Sequence, residues 1–217
     1  DIASIELYFS EVACFYIADG HHRMASSFRL AEERKAQGKS TGADQYLLCA
    51  VFPEEEAGLL PFHRLLRGLD ALEGEGFWNL WNRYFHITQG LATFPPPQGE
   101  LAMFVKDSWY ILRPKEAWGL LDIASEKLQN EVLGPDLGIE DPRKDDRLGF
   151  LGGDISRQSL EAKVKGGKWQ VAIALPAVSH KQFRAIADRG QHMPPKSTWF
   201  EPKLLSGLVM LDLAEAL

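Results

Sequence analysis

Five consecutive residues carry most of the chemistry in this sequence: Asp19, Gly20, His21, His22 and Arg23. Asp19 offers a carboxylate for general-base work, and the imidazoles of His21 and His22 can each donate, accept or ligate. These three are the catalytic candidates. Arg23 offers a planar fork of donors that grips phosphate or carboxylate at two points. Gly20 lets the backbone turn sharply and a ligand come close. The plain reading of the same residues is a capped helix start with two surface imidazoles, common in any fold. Adjacent histidines on a helix diverge, so no metal site is expected of the pair.

The flanking pattern says how these residues are held. Val12 to Ile17 is an apolar run rich in β-formers and reads as a short buried strand. Met24, Phe28 and Ala31 then share one face of a helix that runs to about Gln37 and breaks at Gly38 to Gly42. Asp19 falls at the expected N-cap. The first N–H groups of such a helix have no intrahelical acceptor and form the positive end of its dipole. The junction therefore attracts an anion, and Gly20, His21 and Arg23 are candidate phosphate ligands.

Further along, Gln45 to Phe52 reads as a second buried strand, stopped by Pro53 and an acidic turn. Leu60 to Arg67 reads as a third, with Phe62, Arg64 and Leu66 facing one way and His63, Leu65 and Arg67 the other. His63 and Arg64 reach the ligand if this strand neighbours the first; an edge histidine with a solvated arginine describes them equally well. Leu72 to Tyr84 reads as a helix whose aromatic stripe belongs to a core. Leu91 to Gly99, with Pro95 to Pro97, reads as a polyproline-type linker that divides the chain into 1–94 and 95–217. Beyond it the pattern gives a hairpin (Glu100 to Lys106, Ser108 to Arg113) and an amphipathic helix (Ala117 to Leu133). A polar turn-rich stretch (Gly138 to Asp154) and a helix (Ser156 to Lys165) follow. A strand (Trp169 to Leu175), a helix (Ser179 to Asp188) and a last strand (Leu204 to Leu211) complete the chain. Asp141, Asp145 and Asp146 are either a solvated loop or a place for Mg²⁺. Lys196, Ser197 and Thr198 put a cation and two hydroxyls on a proline-stiffened turn and are candidate contacts to phosphate oxygens, though without the glycines of a Walker loop; a stiffened loop before the last strand describes them as well.

The chain has 217 residues, 45% hydrophobic and 25% charged, an ordinary globular composition with length for a proper core. A net charge of −6 argues against broad nucleic-acid binding, which needs a concentrated basic surface. No apolar run approaches the ~20 residues that span a bilayer, so no membrane partner is expected. Cys14 and Cys49 sit in apolar runs and are expected as buried thiols in a cytoplasmic protein. Asp1 is no initiator methionine, so a piece of a longer protein is expected.

Three stretches carry a family resemblance. Tyr16-Ile17-Ala18-Asp19-Gly20-His21-His22-Arg23 closely resembles the signature of the bacterial and archaeal family called domain of unknown function 1015. Gly58 to Leu69 and Met193 to Leu208 resemble later parts of the same family, in the family's order. More distantly, the turn is similar to the nucleotide-binding turn of the ParB/sulfiredoxin superfamily, which includes sulfiredoxins, ParB-type nucleotide hydrolases and ADP-dependent free-serine kinases. In that turn a Gly-X-X-Arg segment opens a helix under the phosphates; Gly20 and Arg23 match it. Sulfiredoxins carry a cysteine where this chain has His21, so thiol chemistry of their kind is not implied.

The resulting expectation is an α+β fold. A mixed β-sheet flanked by helices carries the ParB/sulfiredoxin-like turn, and a second, smaller sheet–helix region follows. The expected function is an enzyme binding a nucleotide (ATP or ADP, with Mg²⁺) or a phosphorylated small molecule, with phosphoryl transfer as the most concrete reaction. A non-catalytic nucleotide-sensing, ParB-like module and a metal-assisted hydrolase are the alternatives.

Overall fold

The structure is a computed structural model and describes residues 1–70, 74–90 and 93–213. The expected start of the helix at Leu72 and of the linker at Leu91 lie outside the described residues. The fold is α+β, with six α-helices and seven strands among the described residues. The chain forms two compact units, residues 1–56 with 202–217, and residues 57–201. The division expected near residue 94 falls inside the second of these.

In the first unit, α1 spans Ile2–Ser10 and α2 spans His21–Ala36. The expected strands at 12–17 and 45–52 do not form. An apolar run supplies side chains but not a ladder, and neither run meets a partner backbone here. Phe15 and Tyr46 are accordingly exposed, and so are Cys14 and Cys49, against the expectation of buried thiols. The same holds at the C-terminal side, where 204–211 is not a strand. What anchors this unit is polar: buried Asp44 accepts from Ser40 Oγ at 2.7 Å and faces Arg34 Nε at 3.4 Å. Arg34 Nη1 and Thr41 Oγ1 both donate to the Leu213 carbonyl, tying residues 202–213 to α2.

The second unit is built on one antiparallel sheet. Its strands are β1 (Gly58–Leu66), β2 (Phe85–Gln89), β3 (Leu101–Val105), β4 (Ser108–Pro114), β5 (Leu148–Gly152), β6 (Val171–Ala174) and β7 (Thr198–Glu201). They are ordered β2-β4-β3-β6-β1-β5, with β7 also on β1. Strand β1 thus pairs with β5, β6 and β7. The β3–β4 hairpin turns at Lys106 and Asp107, both at positive φ. Strand β5 lies where a polar loop was expected; Leu148 is buried and closes the ladder with Leu66.

Period-two alternation splits the sheet into two cores. One face carries Leu66, Leu101, Met103, Leu112, Val171 and Ile173 under α3 (Glu75–Tyr84) and α4 (Ala124–Leu128). The aromatic stripe of α3 is core, as expected: Phe77, Leu80 and Trp81 are buried. The other face carries Leu65, Ala102, Phe104, Trp109 and Ala172 under Leu160 of α5 (Arg157–Lys165). Each fully buried large apolar side chain contributes about 1.5–3 kcal/mol. Helix α5 is capped by Ser156, and α6 (His180–Ala187) by a capping box of Ser179 and Gln182. The expected helix at 117–133 is shorter: α4 covers Ala124–Leu128 and continues as a π-helical turn, Gln129–Leu133, closed by Gly134 N–H on the Gln129 carbonyl at 2.8 Å.

Gly149 of β5 marks where packing tolerates no side chain. A Cβ there would lie 2.6 Å from the Trp169 ring and 3.3 Å from Leu65 Cβ. Gly149→Ala is therefore expected to lower stability by about 1–3 kcal/mol through overpacking, read from the midpoint of urea unfolding.

Candidate functional site

At the start of α2 the N-cap is Gly20, in the left-handed region at φ 89°, and no side chain among the described residues caps the helix. Asp19 stands one residue before the cap, not at it as expected, because Gly20 alone adopts this turn without strain. The Asp19 Oδ1 accepts from the Gly20 N–H at 2.9 Å, so the uncapped amides are those of His21, His22 and Arg23. The Arg23 guanidinium folds back over the turn: a Cβ on Gly20 would meet its Nε and Nη2 at 3.2 Å. Arg23 Nη2 is 3.7 Å from Asp19 Oδ2, and Lys203 Nζ donates to the same oxygen at 3.3 Å. Burial pushes the Asp19 carboxyl up, but the Gly20 N–H and the charges of Lys203 and Arg23 together outweigh it and hold it below its ordinary value. Asp19, His21, His22 and Arg23 are all exposed. The arrangement presents free amide donors, an exposed guanidinium and an ionised carboxylate to solvent.

In the second unit, neighbours on β1 point to opposite faces. His63 enters the α5 side, 1% exposed, with Nδ1 accepting from the Leu175 N–H at 3.2 Å and Phe94 beside its ring. Burial, aided by the Arg64 charge, lowers its pKa to about 4. The imidazole is neutral, with its proton on Nε2. Arg64 enters the other face, 4% exposed, its guanidinium 4.7 Å over the Phe150 ring and Nη1 donating to the Phe62 carbonyl at 2.9 Å. No carboxylate pairs with it among the described residues. Burial lowers its pKa to about 10, so it keeps its charge at neutral pH.

The Lys196-Ser197-Thr198 turn packs beside the same strand. Lys196, at φ 59°, sets Nζ 5.2 Å over the Phe62 ring; Thr198 opens β7 opposite Pro61. Ser197 is buried and shares a 2.8 Å hydrogen bond with Ser125 Oγ. Arg64 and Ser125 in turn line one cavity of about 130 Å³, with Glu126, Gln129, Asn130 and Phe150. Ser125, Glu126, Gln129, Asn130 and Phe150 escaped the sequence reading. The only signal was a polar stripe at helical spacing across 125–130, which reads equally well as a solvated face.

The carboxylates of the acidic stretch stand in ion pairs. Asp141 is bound by Arg143 and Lys144, Asp145 by Arg147 and Asp146 by Arg67. Among the described residues no three His, Cys, Asp or Glu side chains converge as a metal site. No helix among them is long and apolar enough to cross a membrane.

The family model described as a protein of unknown function (DUF1015) matches residues 1–132. Curated proteins give no match. Among solved structures, a free serine kinase variant in complex with AMP is similar at TM-score 0.50 and 13% identity, over 84% of this chain and 66% of the kinase. A free serine kinase variant in complex with ADP matches at TM-score 0.48 and 14% identity over the same shares. A conserved hypothetical protein from Pyrococcus furiosus matches at 0.43 and 14%, over 84% of this chain and 68% of that one. This chain spans 66% of the kinase's length. The likeness to the first of these shows the fold.

The buried His63 carries a pH dependence. Below the unfolded value of about 6.5 the unfolded chain takes up a proton that folded His63 refuses until about pH 4. Its contribution, complete above pH 6.5, is lost as pH falls through that window, about 3 kcal/mol in all. His63→Asn, whose amide oxygen can replace Nδ1, should flatten the fall in stability between pH 6.5 and 4 measured by urea unfolding. Equal slopes in both proteins would contradict a buried neutral imidazole.

Proposed function

We propose that this chain, which belongs to the family of proteins of unknown function DUF1015, is an enzyme that holds the phosphates of a nucleotide, ADP or ATP, at the start of α2 and transfers a phosphoryl group. The observation that carries this reading is the Arg23 guanidinium laid against Gly20 beside amides that no side chain caps. The amides of His21 and His22 would take phosphate oxygens, and Arg23 would balance the charge that spreads over them during transfer. Asp19, held ionised, would serve as base toward an acceptor hydroxyl or as an oxygen donor to a Mg²⁺ carried on the phosphates. His22 would relay the proton. The fold shared with a kinase whose structure holds AMP supports the choice of a nucleotide, as does the turn's resemblance to ParB/sulfiredoxin turns. Two free, exposed cysteines fit a reducing compartment, and the cytoplasm is part of the same reading.

Titration calorimetry with ADP and ATP, with and without Mg²⁺, tests it. The wild-type chain should bind at least one of them, and Arg23→Ala should weaken that binding by about 1.5 kcal/mol, roughly tenfold. An unchanged affinity would remove Arg23 from the site, and no binding by the wild type would overturn the proposal.

A further inference from the structure

The charge of Arg64 is the least explained feature of the second unit. It sits 96% buried, on the inner face of β1, with one hydrogen bond to a backbone carbonyl and no carboxylate partner among the described residues. A buried charge without a counter-charge is costly and is ordinarily paired. The cavity it lines holds about 130 Å³, close to the about 150 Å³ that accepts a benzene-sized guest. Part of its wall comes from the π-helical turn at Gln129–Leu133, through Gln129 and Asn130. Such turns recur at functional sites.

We propose that this cavity is a binding site for a small carboxylate, its two oxygens held by the Arg64 fork. The guest would have about six non-hydrogen atoms, by comparison with the cavity that takes benzene. Phosphate fits the chemistry less well. Among the described residues Arg64 is the one cation in the lining, and Glu126 adds a negative charge on the same wall. A singly charged carboxylate balances the guanidinium; a phosphate dianion would overshoot it beside Glu126. Phe150 and the prolines 142, 194 and 195 supply apolar walls, and Ser125, Gln129 and Asn130 offer hydrogen bonds to a polar substituent. This assigns to Arg64 a ligand different from the phosphate expected of it from sequence.

The test is titration of the full chain with sodium L-lactate, L-alanine and inorganic phosphate, followed by calorimetry and by ligand-observed NMR. At least one carboxylate should bind the wild type more tightly than phosphate does. Arg64→Lys keeps the charge but loses the fork, and should weaken carboxylate binding roughly tenfold or more. Asn130 lines the cavity from an exposed position, so Asn130→Tyr adds bulk to its wall and should weaken carboxylate binding as much, with an unchanged unfolding midpoint. The proposal is overturned if neither carboxylate binds, if phosphate binds tighter, or if Asn130→Tyr and Arg64→Lys both bind like wild type. No nucleotide is present, so a failed titration here leaves the α2 reading standing, and a failed ADP titration leaves this one.

Discussion

A charged group taken out of water must be met by something, and in the second unit that rule singles out Arg64. Water solvates a guanidinium well; a protein interior does so only through fixed dipoles and opposite charge. Arg64 has the Phe62 carbonyl and the face of Phe150, both weak substitutes for a carboxylate. It keeps its charge at neutral pH despite burial. The residue stays there because β1 is paired with three strands, so its register cannot slip without turning the whole apolar face outward. Sheet pairing holds in place a charge that the interior alone would reject.

The same strand shows how one backbone sorts two chemistries. His63 and Arg64 are neighbours in sequence and lie on opposite faces of the sheet. One becomes a neutral acceptor fixed by the Leu175 amide; the other remains a cation lining a cavity. The α2 turn uses a different device. There the charge is exposed, the donors are backbone amides, and a left-handed glycine sets their direction. The first is a site built by packing, the second by a bend in the chain.

Legibility in the sequence followed from how local each feature is. The alternation along β1, the Lys106-Asp107 hairpin, the α3 stripe and the helix starts at Ser156 and Ser179 are settled within a few residues, and each was readable. The runs at 12–17, 45–52 and 204–211 looked like strands because composition reports β-propensity but not the presence of a partner backbone. At the α2 turn the residues were readable and the cap was misplaced by one, since Asp19 and Gly20 both favour caps. The cavity was the least readable part. Its walls come from positions 64, 125, 126, 129, 130, 142, 150, 194 and 195, brought together only by the fold. Arg64 and Ser197 drew attention in the sequence for the motifs that hold them; nothing in those motifs showed that Ser125 would join them.

The claim that Arg64 sits in the interior as an uncompensated charge is open to a direct measurement without any ligand. Met matches the length and apolar stem of arginine without its charge, so urea unfolding of Arg64→Met beside the wild type isolates the guanidinium. If the charge waits for a counter-ion from outside, the variant will be as stable as the wild type or more so. A loss of about 3–5 kcal/mol, the usual cost of breaking a paired buried ion, would show that the protein already satisfies it.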